Sequence, residues 1–344
     1  MNLHRRIHAR PLRTEATFRS ILSAVIAGCL ATAVCQAAGA NAESSLAPVE
    51  PAVLAAGAYF GQKLPGDNPE LFAPSVINIL GRSVGHIAFS PDATECYFTV
   101  FEGIYSNNRL FFTRYKNGAW TAQGPVGFLK DGHGFEPLFS RDGGRLYFGA
   151  AIATAGSTST DFWMAARTAQ GWSEPQPLSP PLNSAKNEFC LAQTADGTMY
   201  FASNREGGLG GLDIYWTVAK PSQPMQVENL GAPVNSEYND GDPGISPDGR
   251  ILVFYSVPKR PGIMTASSDL LICFDDGHGG WTTPVNLGEG FNTPGDEYAA
   301  TFSQDGRVLF FARFDGKQGQ VYWVSTTALE RFRKLTPSPD KPPL

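Results

Sequence analysis

The chain carries no Cys-x-x-Cys pair and no His-Glu-x-x-His stretch. Their absence removes the thiol-redox and zinc-peptidase chemistries that depend on those spacings. Helical periodicity is missing over any useful length, and only one sizeable apolar run occurs, Ile21 to Val34. That run is too short to span a bilayer. Five arginines precede it (Arg5, Arg6, Arg10, Arg13 and Arg19) and the small-residue stretch Ala40-Asn41-Ala42 follows it. Basic, apolar and small-residue regions in this order read as a secretory signal occupying residues 1–42, cleaved after Ala42. Ile26-Ala27-Gly28-Cys29 offers a competing lipobox reading with anchoring at Cys29, but the apolar run continues past that cysteine.

Basic charge is also scarce. The full chain has 27 basic and 32 acidic residues, and the leader holds five Arg and one Glu, so 22 basic residues face 31 acidic ones after cleavage. An acidic exported chain is a poor match for nucleic acid or for an anionic membrane surface. The expected location is therefore the periplasm or the exterior, with no transmembrane span. Cys96, Cys190 and Cys273 remain, odd in number and each inside an apolar, strand-like run. They read as buried free thiols.

Repetition is what the sequence does have. Ala88-Phe89-Ser90-Pro91-Asp92, Leu138-Phe139-Ser140-Arg141-Asp142-Gly143, Ala192-Gln193-Thr194-Ala195-Asp196-Gly197, Gly244-Ile245-Ser246-Pro247-Asp248-Gly249 and Thr301-Phe302-Ser303-Gln304-Asp305-Gly306 align, with the Ser/Thr positions 50, 54, 52 and 57 residues apart. Each unit reads as a strand, a tight Asp-Gly type turn and a second, aromatic-rich strand such as Leu146-Tyr147-Phe148. A third strand (Ile214-Tyr215-Trp216, for example) and a fourth complete the unit. A period near fifty residues, all strand, predicts an all-β propeller of five four-stranded blades, with six as the alternative. Phe72-Ala73-Pro74-Ser75-Val76-Ile77 reads as a fourth strand without its first three, and is expected to close the ring from the N-terminal side; Leu335 and its neighbours compete for that slot. The expected organisation is a signal at 1–42, a lead-in at 43–68, the propeller at 69–336 and a disordered tail at 337–344.

Ser246-Pro247-Asp248-Gly249, the run from Ser203-Asn204-Arg205-Glu206-Gly207-Gly208 to Gly211-Leu212-Asp213-Ile214-Tyr215, and Trp-x-x-Pro-x-x-Leu at 172–178 and 281–287 resemble the PD40 (WD40-like, TolB-like) repeat family. The resemblance covers about 70–335, and in the first unit Ala93 stands where the others have Gly. It implies a propeller fold and leaves the function open, because the matching residues belong to turns and strands.

Function is sought on the face that carries the longer loops, 102–108, 150–160, 203–212, 256–268 and 313–319, together with the connections between blades. Four residues before each Ser/Thr mark stand His86, Glu136, Cys190, Asp242 and Ala299. Strand alternation places this position on the side of the small residues two before the mark, and so toward a central channel. The connections add His133, Glu188, Asp240, Asp296 and Glu297. The candidate binding set is thus His86, His133, Glu136, Glu188, Asp240, Asp242, Asp296 and Glu297, an acidic mouth with two histidines. Carboxylates there suit Ca2+, imidazoles a transition metal, and the whole a basic peptide or a polyhydroxylated ligand. Against this, Glu188, Asp240 and Glu297 recur in register, as residues accepting backbone hydrogen bonds would. Arg205, and Asp161, Asp213 and Asp269 at the starts of third strands, read as structural. No catalytic set is assembled in the sequence. The leading expectation is a binding module for a protein or a cell-envelope component; the alternative is a glycan-active enzyme, glycosidase or lyase, using Glu136, Asp242 and a histidine.

Overall fold

Five antiparallel sheets succeed one another along the chain. The computed structural model describes residues 57–102, 107–130, 132–151, 159–218, 224–257 and 267–335. The signal reading, most of the lead-in and the tail lie outside those residues, as do much of the 102–108, 150–160 and 256–268 loops.

Blade 1 comprises Ser83–Phe89, Glu95–Phe101 and Arg109–Lys116, with an outer strand split into Ala119–Trp120 and Gly124–Pro125. Blade 2 runs through Phe135–Phe139, Arg145–Ala150 and Asp161–Thr168, and its outer edge is again split, into Gly171–Trp172 and Gln176–Pro177. Blade 3 is Glu188–Gln193, Met199–Ser203, Asp213–Val218 and Gln226–Asn229; blade 4 is Asn239–Ile245, Ile251–Val257, Asp269–Phe274 and Val285–Asn286. Blade 5 has three strands from the end of the chain, Asp296–Phe302, Val308–Phe314 and Gly319–Ser325, and borrows its fourth, Glu70–Leu71, from the beginning. The ring is a five-bladed propeller closed by an N-terminal strand, as the repeat predicts. The paired residues lie just before the stretch singled out in the sequence, with Phe72 N donating to Val321 O at 2.9 Å.

The turns follow from their sequence. In every blade the Ser/Thr hydroxyl donates to the Asp two residues on, as in Ser90 to Asp92 and Ser303 to Asp305, both at 2.6 Å. Such local side-chain bonds stabilise a tight reversal. The turn then needs a positive φ, supplied by Gly143, Gly197, Gly249 and Gly306, and in blade 1 by Ala93 at φ 55°.

The connections Asn183-Ser184, Asn235-Ser236 and Asn292-Thr293 serve two purposes. Each asparagine clasps the second residue of the preceding third strand, accepting from its N–H and donating to its C=O: Phe162, Ile214 and Leu270 respectively. Asn78 does the same to Val321, completing the pattern in blade 5. An interior amide group is costly to leave unpaired, so these clasps seal strands whose ladders are short. The Ser or Thr that follows binds the next blade's Glu188, Asp240 or Glu297.

The core lies between blades. One cluster at each of the five interfaces buries residues from both sheets: Phe98 with Phe310 and Trp323, Leu110 with Phe139 and Phe148, Phe162 with Phe201, Ile214 with Leu252 and Phe254, and Phe274 with Phe291 and Phe311. Each buried aromatic is worth about 1.5–3 kcal/mol of transfer free energy. Cys96 and Cys273 belong to these layers as free thiols.

Candidate functional site

Every innermost strand carries a β-bulge at the same place. Pairing with the second strand slips by one residue between Val84 and Ile87, Phe135 and Leu138, Phe189 and Ala192, Gly241 and Gly244, and Tyr298 and Thr301. The extra residue interrupts alternation. At the bulge, Glu136, Cys190, Asp242 and Ala299 adopt left-handed φ values of 55°, 51°, 48° and 60°. Non-glycine residues enter this region at a cost, and such outliers gather where a side chain must be aimed.

The result is convergence. Potential ligand atoms of His86, Glu136, Cys190 and Asp242, from four different blades, all lie within 4.8 Å of one another. His86 Nε2 is 2.9 Å from Cys190 Sγ and 3.3 Å from Asp242 Oδ2. The carboxylates also tie neighbouring blades together. Glu136 Oε2 accepts from Cys190 N at 2.6 Å and Asp242 Oδ2 accepts from Ala299 N at 3.1 Å. Glu188, Asp240 and Glu297, expected to accept backbone hydrogen bonds, do so from Ser184 N, Ser236 N and Thr293 N in the connections between blades.

Burial sets the electrostatics. It works against the charged imidazole of His86, yet the bond to Asp242 and the charges of Asp242 and Glu136 raise its pKa above the ordinary value. Burial raises Glu136 to about 7, the positive His86 opposing and the like charge of Asp242 reinforcing that shift. Burial also pushes Asp242 upward, but His86 wins and holds it below the usual carboxylate range. The Cys190 thiol is pushed well up by burial and by both carboxylates.

Glu188, Asp240 and Glu297 point elsewhere. Continuous alternation would turn them to the channel, and the bulge reverses that. All three are buried, bonded to the hydroxyl of Ser184, Ser236 or Thr293, and two hold arginines: Arg205 to Glu188 at 3.1 Å and Arg313 to Glu297 at 2.8 Å. Arg205 also lies over the rings of Phe201 and Tyr215, and Arg313 over those of Phe311 and Tyr322. Asp296 accepts from Ser268 N at 2.9 Å on the rim of the channel mouth. His133 is exposed beside Arg109, apart from the cluster. Asp213 accepts from Leu209 N and Gly210 N, closing its own loop.

The same reversal brings forward residues that the sequence reading passed over. Phe135, Phe189 and Tyr298, five before the mark, line a mouth of about 560 Å3 together with Phe101 and Tyr255. In blades 1 and 4 the corresponding residues are Gly85 and Gly241. A Cβ at either would meet the ring of Phe101 or Tyr255 at 2.5 and 2.7 Å, so the second-strand aromatic takes the vacated space. In the sequence the signal is an aromatic five before the mark or, in blades 1 and 4, late in the second strand. His86, Glu136 and Asp242 reach the mouth from its floor.

On the turn face the channel is narrow and bridged. Arg141 donates to Gln304 Oε1 at 2.9 Å, and Gln304 Nε2 donates to Phe139 O at 3.2 Å. Only about 40 Å3 of space lies between this bridge and His86, Glu136 and Cys190. A broader depression on the turn face, about 820 Å3, is bounded mainly by turn residues such as Asp196, Asp248 and Asp305.

No protein-family model and no curated protein matches the chain. Among solved structures, a TolB-like protein of Agrobacterium tumefaciens aligns at 15% identity and TM-score 0.44, over 72% of this chain and 78% of that one. A glycoside hydrolase aligns at 12% and 0.45, over 77% and 92%. An endo-arabinase of Bacteroides thetaiotaomicron aligns at 13% and 0.43, over 76% and 96%. At such identities the likeness is one of fold alone.

Proposed function

We propose that the chain is an exported, non-catalytic binding module that takes a segment of a protein or another cell-envelope component into the mouth of its channel. The observation that carries this reading is the mouth itself, about 560 Å3, walled by five aromatic side chains above a floor of His86, Glu136 and Asp242. Concave, mostly apolar surfaces with a few convergent polar groups are where ligands are held. Aromatic walls give large contact area at small entropic cost. The rigid ring and its inter-blade cores keep that surface in shape without a ligand.

The glycan-active alternative draws on Glu136, at about 7, beside an ionised Asp242, a pairing of the kind that serves acid and base roles. Hydrolysis needs a sugar between the two carboxyl groups, about 5 Å or more apart. Here His86 Nε2 and Cys190 Sγ crowd between and beside the carboxylates, where a sugar would have to lie. The geometry therefore favours binding over turnover.

The test is a pulldown from envelope extract with residues 43–344, beside a Phe135→Ala, Phe189→Ala variant and an Arg250→Ala control on the turn face. A species retained by the parent and the control but lost by the double variant supports the mouth as the binding surface. Equal retention by all three sinks it, and turnover of a glycan by the parent favours the alternative.

A further inference from the structure

The convergence of His86, Glu136, Cys190 and Asp242 brings one imidazole, one thiol and two carboxylates to a common point, each from a different blade. The fifth blade offers only the methyl of Ala299 at the same register. Because Ala299 shares the left-handed backbone, the bulge belongs to the blade rather than to the side chain. Shape alone therefore requires nothing more than a small residue at this place, yet four of the five are metal-ligand types. We infer that the four side chains form a transition-metal site, with Zn2+ the best-matched ion, at the floor of the channel.

The donor set selects the metal. Thiolate and imidazole are soft or borderline ligands that suit Zn2+, whereas Ca2+ takes oxygen from six to eight donors. In a tetrahedral zinc site, bonds of about 2.0–2.3 Å put neighbouring donors on the order of 3.3–3.6 Å apart. The separations of 2.9 Å from His86 Nε2 to Cys190 Sγ and 3.3 Å to Asp242 Oδ2 lie close to that range, and all four donors fall within 4.8 Å of one another. Backbone N–H groups of Cys190 and Ala299 already orient the two carboxylates, the outer support that ligating groups need. Binding displaces to solvent the Cys190 thiol proton, the proton on His86 Nε2 and any proton on Glu136 as the metal bonds form, leaving three anionic ligands and one neutral one around a dication. The mouth, lined by His86, Glu136 and Asp242, offers the ion a path to the site. This assignment does not depend on what the mouth captures.

The test uses the mature protein, stripped with a chelator and dialysed against micromolar Zn2+ or Co2+. Expected are about one Zn2+ retained per chain and, with Co2+, the intense visible bands of a tetrahedral ion plus a near-ultraviolet thiolate charge-transfer band. Cys190→Ser removes the charge-transfer band and weakens retention at least tenfold, while Cys273→Ser, altering a buried thiol outside the cluster, changes neither. If Cys190→Ser does not fold, the parent spectrum decides alone: a thiolate band in a protein whose Cys273→Ser form keeps it supports the site. Retention far below one ion, a Co2+ spectrum without thiolate character, or Ca2+ binding in preference to Zn2+ overturns it.

Discussion

His86 on blade 1 and Asp242 on blade 4 are not neighbours in the ring, yet Nε2 and Oδ2 lie 3.3 Å apart. Blade 5 stands between them and contributes Ala299, small enough to let the two side chains meet. The contact couples opposite parts of the propeller through its centre. In metal-free protein, Asp242→Ala leaves the imidazole without its counter-charge and Ala299 N without its acceptor. A loss on the order of 3–5 kcal/mol is expected, as for breaking a buried pair from one side. Denaturant unfolding of the two single variants and the His86→Ala, Asp242→Ala double gives the coupling; additivity would show that the contact contributes nothing.

The turn aspartates give the propeller an acid limit. Burial raises Asp92 and Asp196, but bonds from Ser90 and Thr94, and from Thr194 and Thr198, outweigh it and hold both below the usual range. A carboxylate whose folded pKa is depressed contributes stability above its unfolded value, about 3.9, and loses it as pH falls through the folded value. Unfolding midpoints measured in steps below about pH 4 should therefore fall for the parent and fall less steeply for Asp196→Asn.

Two ion pairs of one sequence should differ widely in worth. Glu297 is fully buried against Arg313, whereas Glu330 and Arg333 are both largely exposed. Arg313→Ala strands a buried carboxylate, though Thr293 still bonds it, and a loss of about 3 kcal/mol is expected. Arg333→Ala should cost at most about 0.5 kcal/mol. Thermal unfolding of the two variants side by side decides, and similar shifts would refute the contrast.

Ring closure rests on a short segment. Deleting residues 57–78 removes the Glu70–Leu71 strand, the Asn78 clasp on Val321 and Phe72 from the core. It also bares the edge of Gly319–Ser325, and unpaired edges invite association. Size-exclusion chromatography should show aggregated or unfolded material; a stable monomer would mean that the remaining interfaces suffice.

The fold was legible because its evidence is periodic. Five Ser/Thr-x-Asp turns set the blade count, and the orphan stretch at Phe72 marked the closing side. Position four before the mark was also found, since both alternation and the bulge turn it toward the channel. The bulge itself left no such trace. It depends on backbone pairing between strands, and a residue such as Glu136 in the left-handed region reads in sequence like any other strand residue. One inserted residue exchanges the two sides of a strand. For that reason Glu188, Asp240 and Glu297 leave the mouth, while Phe135, Phe189 and Tyr298 enter it. Convergence of His86 with Cys190 across the ring depends on side-chain length and reach, which periodicity does not encode.

His86, Glu136, Cys190 and Asp242, drawn to within 4.8 Å of one another, make the channel mouth a blind well rather than a tunnel. Whatever enters past Tyr255 and Tyr298 must leave the same way, so capture and release share one path, and a continuous polymer cannot thread through. Only a free end, a loop tip or a projecting side group has the right topology to reach His86.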